Sequence, residues 1–178
     1  TILDGISGQL NHHSVYCPNR IVNSILGVKG SLYRQKNIAF SFDCRLPEPL
    51  SLSGVTLCSL FTNVLDNAYH AVQSGVPELR RIDLSAYLVN GFLLLTCQNP
   101  IPPGSQPKLE RRRKAEDGTQ HGLGLLILQT IAEQHKGTME IQTANDIFQI
   151  RLLLQLPAPS TSPVPASILP QKEEATPV

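Results

Sequence analysis

The stretch VTLCSLFTNVLDNAYHAV, residues 55 to 72, constrains this chain more than any other. Leu57, Leu60, Phe61, Val64, Leu65, Ala68, Ala71 and Val72 recur at helical spacing and predict one long amphipathic helix over 54–74, with Ser53 as its N-cap. A helix of that length must bury its apolar face against a second layer, so the rest of the chain has to supply one. Beside the apolar face, Asn63, Asn67 and His70 fall at i, i+4 and i+7 and form a polar stripe. Asparagine is a poor interior helix residue because its amide competes for backbone hydrogen bonds. A solvated stripe would more often carry Glu, Lys or Arg. Two asparagines one turn apart suit carbonyl oxygens that hold a hard cation such as Mg²⁺, whose remaining ligands are water and phosphate oxygens. A plain solvated face is the alternative.

The second layer is legible as strands. IAFSFDCRL alternates Ile38, Phe40 and Phe42, and RIDLSAYLV turns at Asn90-Gly91 into FLLLTCQ. TMEIQT and IFQIRLLLQL flank Asn145-Asp146 as a second hairpin. A further helix is predicted over NRIVNSILGVKGSLYRQKN from Ile21, Val22, Ile25, Leu26 and Val28. Residues 1–10 read as the end of a helix that starts upstream. The expected fold class is therefore α/β, an α+β two-layer sandwich with helices on one face of a mixed sheet. Pro100 to His121 has no periodicity and reads as a lid or binding loop. Beyond Pro157 the chain is rich in Pro, Ser and Thr and reads as a disordered tail.

After that loop, QHGLGLLILQ at 120–129 places two glycines at the mouth of another apolar helix, expected to run from Gly122 to Gly137, a C′ glycine. Glycine costs a helix about 1 kcal/mol against alanine. Either a flexible loop simply runs into the helix, or the backbone must let a phosphate approach the helix N-terminus. Other phosphate signatures are absent: there is no GxxxxGK[ST], no third glycine for a dinucleotide fingerprint, and no HRD or DFG.

A net charge of +1 argues against a nucleic-acid partner, and no apolar run reaches the length of a membrane span. Cys17, Cys44, Cys58 and Cys97 lack metal-ligand spacing and fit small buried thiols in a reducing compartment. The chain opens on Thr1 and its only methionine is Met139, so it is expected to be a piece of a longer protein.

NVLDNAYHAV resembles the N box of the Bergerat-fold (GHKL) ATPases, and HGLGLLILQTIAEQHKG resembles their G2 box. The pair, with CPNRIVNSIL and NIAFSFD upstream, is most similar to the catalytic domain of the quorum-sensing sensor histidine kinases, the AgrC-like and NatK-like group. This resemblance implies that the chain binds ATP with Mg²⁺ and passes the γ-phosphoryl to a histidine outside these residues. It implies Asn67 and Asn63 as metal ligands, and nucleotide contacts from Asn63, Asn67, Asn99, His121, Gly122, Leu123, Gly124 and Leu125. Residues 1–36 would be the end of the dimerisation helices with a linker helix, 37–156 the ATP-binding domain and 157–178 the tail. An upstream phosphoacceptor domain, a response regulator and a second copy in a homodimer are the implied partners. The implied setting is the cytoplasmic side of a membrane-anchored sensor.

The chain departs from that pattern in three places. Most histidine kinases place an aspartate against the adenine amino group, whereas the strand here ends TCQNPIPPGSQ. Asn99 is the candidate, with Gln98 beside it, and a plain turn is the alternative. His70 stands where the group usually has glutamate, as a possible catalytic residue or an exposed histidine without a role. Asn63 occupies the place of the water-activating glutamate of gyrase-like ATPases, which favours transfer over rapid hydrolysis. RRRK at 111–114 reads as a solvated run, and His12 and His13 lie in the wrong context for phosphoacceptors. The competing functional reading is a degenerate GHKL module that binds partners without transferring phosphate.

Overall fold

The structure, a computed structural model, describes residues 16–73, 75–103 and 123–157. The helix end expected at 1–10, His12, His13, most of the 100–121 loop with its RRRK run, His121, Gly122 and the tail from 158 onward lie outside the described residues.

Helix α1 spans Arg20–Gln35 and begins at Asn19, whose side chain accepts from the Val22 amide. It closes with the Ile38 amide donating to the Tyr33 carbonyl and Asn37 in the left-handed region at φ +53°, the turn that satisfies orphan carbonyls at a helix end. Strand β1, Ala39–Arg45, leads to the long helix α2, Gly54–Gln73. Ser53 caps α2, its Oγ accepting from the Thr56 amide at 3.0 Å. A short 3-10 turn at Pro77–Leu79, which periodicity did not indicate, precedes β2, Arg81–Val89. β3, Phe92–Pro100, follows across Asn90-Gly91, both with positive φ. Helix α3 is Leu123–Gln134, then come β4, Thr138–Ala144, and β5, Ile147–Gln155.

The end of α3 corrects the reading of Gly137 as the left-handed residue. Lys136 takes that conformation, at φ +47°, while the Gly137 amide donates to the Ala132 carbonyl at 2.8 Å. Glycine is required at 137 for a different reason: a Cβ there would collide with the Leu153 carbonyl of β5.

Among the described residues, five strands form one sheet in the order β1-β2-β3-β5-β4, with β1 parallel to β2 and every other pair antiparallel. Strict alternation sends Ile82, Leu84, Ala86, Leu93, Leu95, Cys97, Asn99, Phe148, Ile150, Leu152 and Leu154 inward, all buried. On the opposite face Tyr87 donates to Asp43, and Gln98 donates to Gln149. The core is completed by Val22, Leu26 and Tyr33 of α1, by the predicted face of α2 from Leu57 to Val72, and by Leu128, Ile131 and Ala132 of α3. α2 lies against β2 and β3, α1 against β1, and α3 against β4 and β5. This is the expected two-layer sandwich, a mixed sheet carrying helices on one face.

Three of the four cysteines meet the expectation of burial. Cys17, Cys44 and Cys97 are buried, but Cys58 is exposed on α2. It falls outside the helix's apolar arc, which periodicity alone already indicates.

Candidate functional site

The candidate site lies along α2, on the stripe its apolar face leaves uncovered. Asn63 and Asn67 are half-buried there, and His70 is exposed in the last turn with its ring 5.7 Å from that of Tyr69. A basic side chain at that position also suits the negative end of the helix.

Asn63 is held in one orientation. Its Nδ2 donates to the Ser59 carbonyl at 2.7 Å and to Ser59 Oγ at 3.3 Å. A carbonyl only accepts, so the amide nitrogen must face Ser59 and Oδ1 must face away. That oxygen points at the first turn of α3: a Cβ built on Gly124 would stand 3.1 Å from it. The glycine therefore lets the start of α3 lie directly against the Asn63 oxygen. Leu123 begins α3 and is exposed, while Leu125 is partly buried against the core. The fold thus brings Asn63 and Gly124 together, with Asn67 one turn further along α2.

Asn99 sits at the end of β3 on the helix-facing side and is only 2 % exposed. Its Nδ2 donates to the Pro100 carbonyl at 2.9 Å, which leaves its oxygen for other partners. Pro100 and Val72 line one small cavity, so this strand end lies beside the last turn of α2. Gln98 does not belong with it: alternation turns Gln98 to the opposite face, where it bonds Gln149. A groove of about 340 Å³ lies at the strand ends between Arg80–Arg81 and Asn145–Asp146, and none of the stripe residues lines it.

Three contacts that motif reading missed secure α2 from the α1 side. Lys29 pairs with Asp66, Tyr33 Oη donates to the Leu65 carbonyl at 3.0 Å, and the Tyr33 and Tyr69 rings stack at 5.6 Å. Ser59 was missed as well, although its place four residues before Asn63 made it a candidate partner.

Among the described residues no three His, Cys, Asp or Glu side chains gather as a metal site. A cation held here would rely on amide oxygens and on the oxygens of its own ligand, the donor set that suits Mg²⁺. The orientation of Asn63 fits that requirement, since its nitrogen is engaged by Ser59 and its oxygen is turned toward the start of α3.

Among the described residues, a mixed five-stranded sheet under three helices is the fold shared with solved histidine-kinase catalytic domains. The nucleotide-free catalytic domain of histidine kinase ThkA superposes with a TM-score of 0.60 at 17% identity, covering 76% of this chain and 90% of that one. Histidine kinase AdeS of Acinetobacter baumannii gives a TM-score of 0.54 at 16% identity, over 76% of this chain and 63% of that one. The GHKL domain family profile matches residues 52–155, more than half of the chain, and the chain belongs to that family. Sensor histidine kinase HprS of Escherichia coli (strain K12) is 28% identical over 142 residues, 75% of this chain and 30% of that protein. Nitrogen regulation protein NtrY of Azorhizobium caulinodans is 31% identical over 141 residues, 71% of this chain and 18% of that protein. The chain spans less than a third of the length of these curated relatives.

Proposed function

We propose that this chain is the ATP-binding catalytic domain of a two-component sensor histidine kinase. In this reading Asn67 would hold Mg²⁺ with Asn63 beside it, and the bound ion would supply positive charge against the phosphates. The start of α3, with Leu123, Gly124 and Leu125 following His121 and Gly122, offers free amide N–H groups to the phosphates. Asn99 accepts from the adenine amino group. The phosphoryl passes to a histidine of a dimerisation domain, and from there to a response regulator. Catalysis is then chiefly positioning and charge stabilisation. No carboxylate stands at Asn63 to activate water, which favours transfer over hydrolysis. The full-length protein in this proposal is a homodimer anchored in a membrane, with this domain in the cytoplasm and residues 1–36 joining it to the dimerisation helices. Among the described residues no helix is long and apolar enough to cross a membrane.

The observation that carries the proposal is the Asn63 oxygen turned toward Gly124, which supports the reading because it sets the two sequence boxes against each other. Incubating the chain with γ-labelled ATP, alone and with a separately supplied dimerisation segment, tests it. Label on the segment and none on the chain alone is the expected result. Label on neither would favour the second reading, a GHKL module that binds partners without phosphotransfer. The neutral Asn99 at the end of β3, in place of a carboxylate, and His70 on α2 speak for that alternative.

A further inference from the structure

α1 approaches α2 through polar groups as well as apolar ones, and the contacts of Lys29 and Tyr33 converge on one turn. Tyr33 is fully buried, and its hydroxyl donates to the Leu65 carbonyl at 3.0 Å. A buried hydroxyl without a partner would be costly, so this bond fixes where Tyr33 sits along α2. The Lys29 side chain is 15% exposed and forms an ion pair with Asp66. The Tyr33 ring lies 5.6 Å from that of Tyr69 at an interplanar angle of 18°. Leu65, Asp66 and Tyr69 bracket Asn67 at −2, −1 and +2. Apolar packing by Val22 and Leu26 would hold the two helices together, yet it would tolerate small axial slips or rotations of α2. Directional bonds to residues 65 and 66 do not.

We infer that Lys29 and Tyr33 are positioning residues for Asn67: from α1 they fix the rotation and height of the α2 turn that presents its amide. The inference rests on the proposed role of Asn67 as the metal-holding side chain. A metal ligand must be placed to within a fraction of an ångström, so a contact two residues away matters to affinity even where it contributes little to folding.

The test is the Mg²⁺ dependence of binding of a fluorescent ATP analogue to the whole 178-residue chain, with melting followed in parallel. Tyr33→Phe removes only the hydroxyl. Lys29→Met combined with Asp66→Leu removes the pair without changing net charge. Each is expected to raise the Mg²⁺ concentration for half-maximal binding about three- to tenfold, the scale of one lost hydrogen bond. Affinity for the metal-free analogue should stay within about twofold, because a general loosening of the fold would weaken both. Lys29→Arg, which keeps the pair, should behave as the parent protein does. An unchanged Mg²⁺ requirement in both altered proteins, alongside a raised one in Asn67→Ala, overturns the inference and leaves the proposed site standing. An unchanged requirement in Asn67→Ala removes the metal role of Asn67 and this inference with it.

Discussion

The Asn63 side-chain oxygen and Gly124 stand so close that a methyl group on the glycine would meet that oxygen at 3.1 Å. The contact joins the middle of α2 to the first turn of α3, and it depends on the amide nitrogen being engaged by Ser59 on the other side. Glycine at 124 is therefore explained by its neighbour in space, whatever also approaches the helix start.

Gly124→Ala should leave stability nearly unchanged, because about 1 kcal/mol of gained helix propensity offsets a similar cost of crowding. The Asn63 amide must shift by a few tenths of an ångström, and Mg²⁺-nucleotide affinity should fall roughly tenfold, the sensitivity expected of a placed ligand group. Denaturant unfolding and nucleotide titration on the same protein check both halves. Unchanged affinity would mean that the Asn63 oxygen takes no part in the site.

Gly137→Ala is expected to behave in the opposite way. The new Cβ would collide with the Leu153 carbonyl, which belongs to a β-ladder and cannot turn aside. A loss of about 3 kcal/mol is expected from such overpacking against backbone. Urea unfolding measures it, and a loss below 1 kcal/mol would show that α3 and β5 separate easily.

These two glycines also mark how far the sequence could be read. The apolar period of α2, the alternation of β2 and β3, and the Asn-Gly and Asn-Asp turns each follow from local chemistry, and the structure bears them out. The sequence suggests a left-handed helix cap at Gly137 because glycine usually fills that role. Lys136 fills it here, and the true constraint comes from Leu153, distant in sequence. Adjacency suggests Gln98 as a companion of Asn99, but strand alternation sends neighbours to opposite faces and Gln98 meets Gln149 instead. The polar grip of Lys29 and Tyr33 on α2 requires knowing which side α1 packs on, and no periodicity carries that information.

Thiol reactivity offers a third prediction. Burial pushes the Cys44 and Cys97 thiols up to about 12, so both stay protonated and shielded near neutral pH. A thiol reagent should modify exposed Cys58 first in the native protein and reach Cys44 and Cys97 only after unfolding. Mass spectrometry of partially labelled protein decides the order, and early labelling of Cys97 would contradict the packing of β3.

The same two thiols set a dependence on alkaline pH. In the unfolded chain they ionise near their ordinary value of 9.0, while in the folded protein they hold their protons up to about 12. Between these values the folded state binds more protons than the unfolded one, so stability falls as pH rises through that window. Below pH 9 their contribution is fully present. Replacing both by alanine should flatten the decline between pH 9 and 12 in denaturant titrations, and an equally steep decline would assign it to other groups.

The most direct measurement is calorimetric titration of the chain with ATP, with and without Mg²⁺, repeated on Asn67→Ala. The proposed site predicts saturable binding that Mg²⁺ strengthens in the parent protein, and a loss of most of that strengthening in the variant. Equal Mg²⁺-dependent affinity in the two proteins, or no binding by the parent at millimolar ATP, would contradict the account.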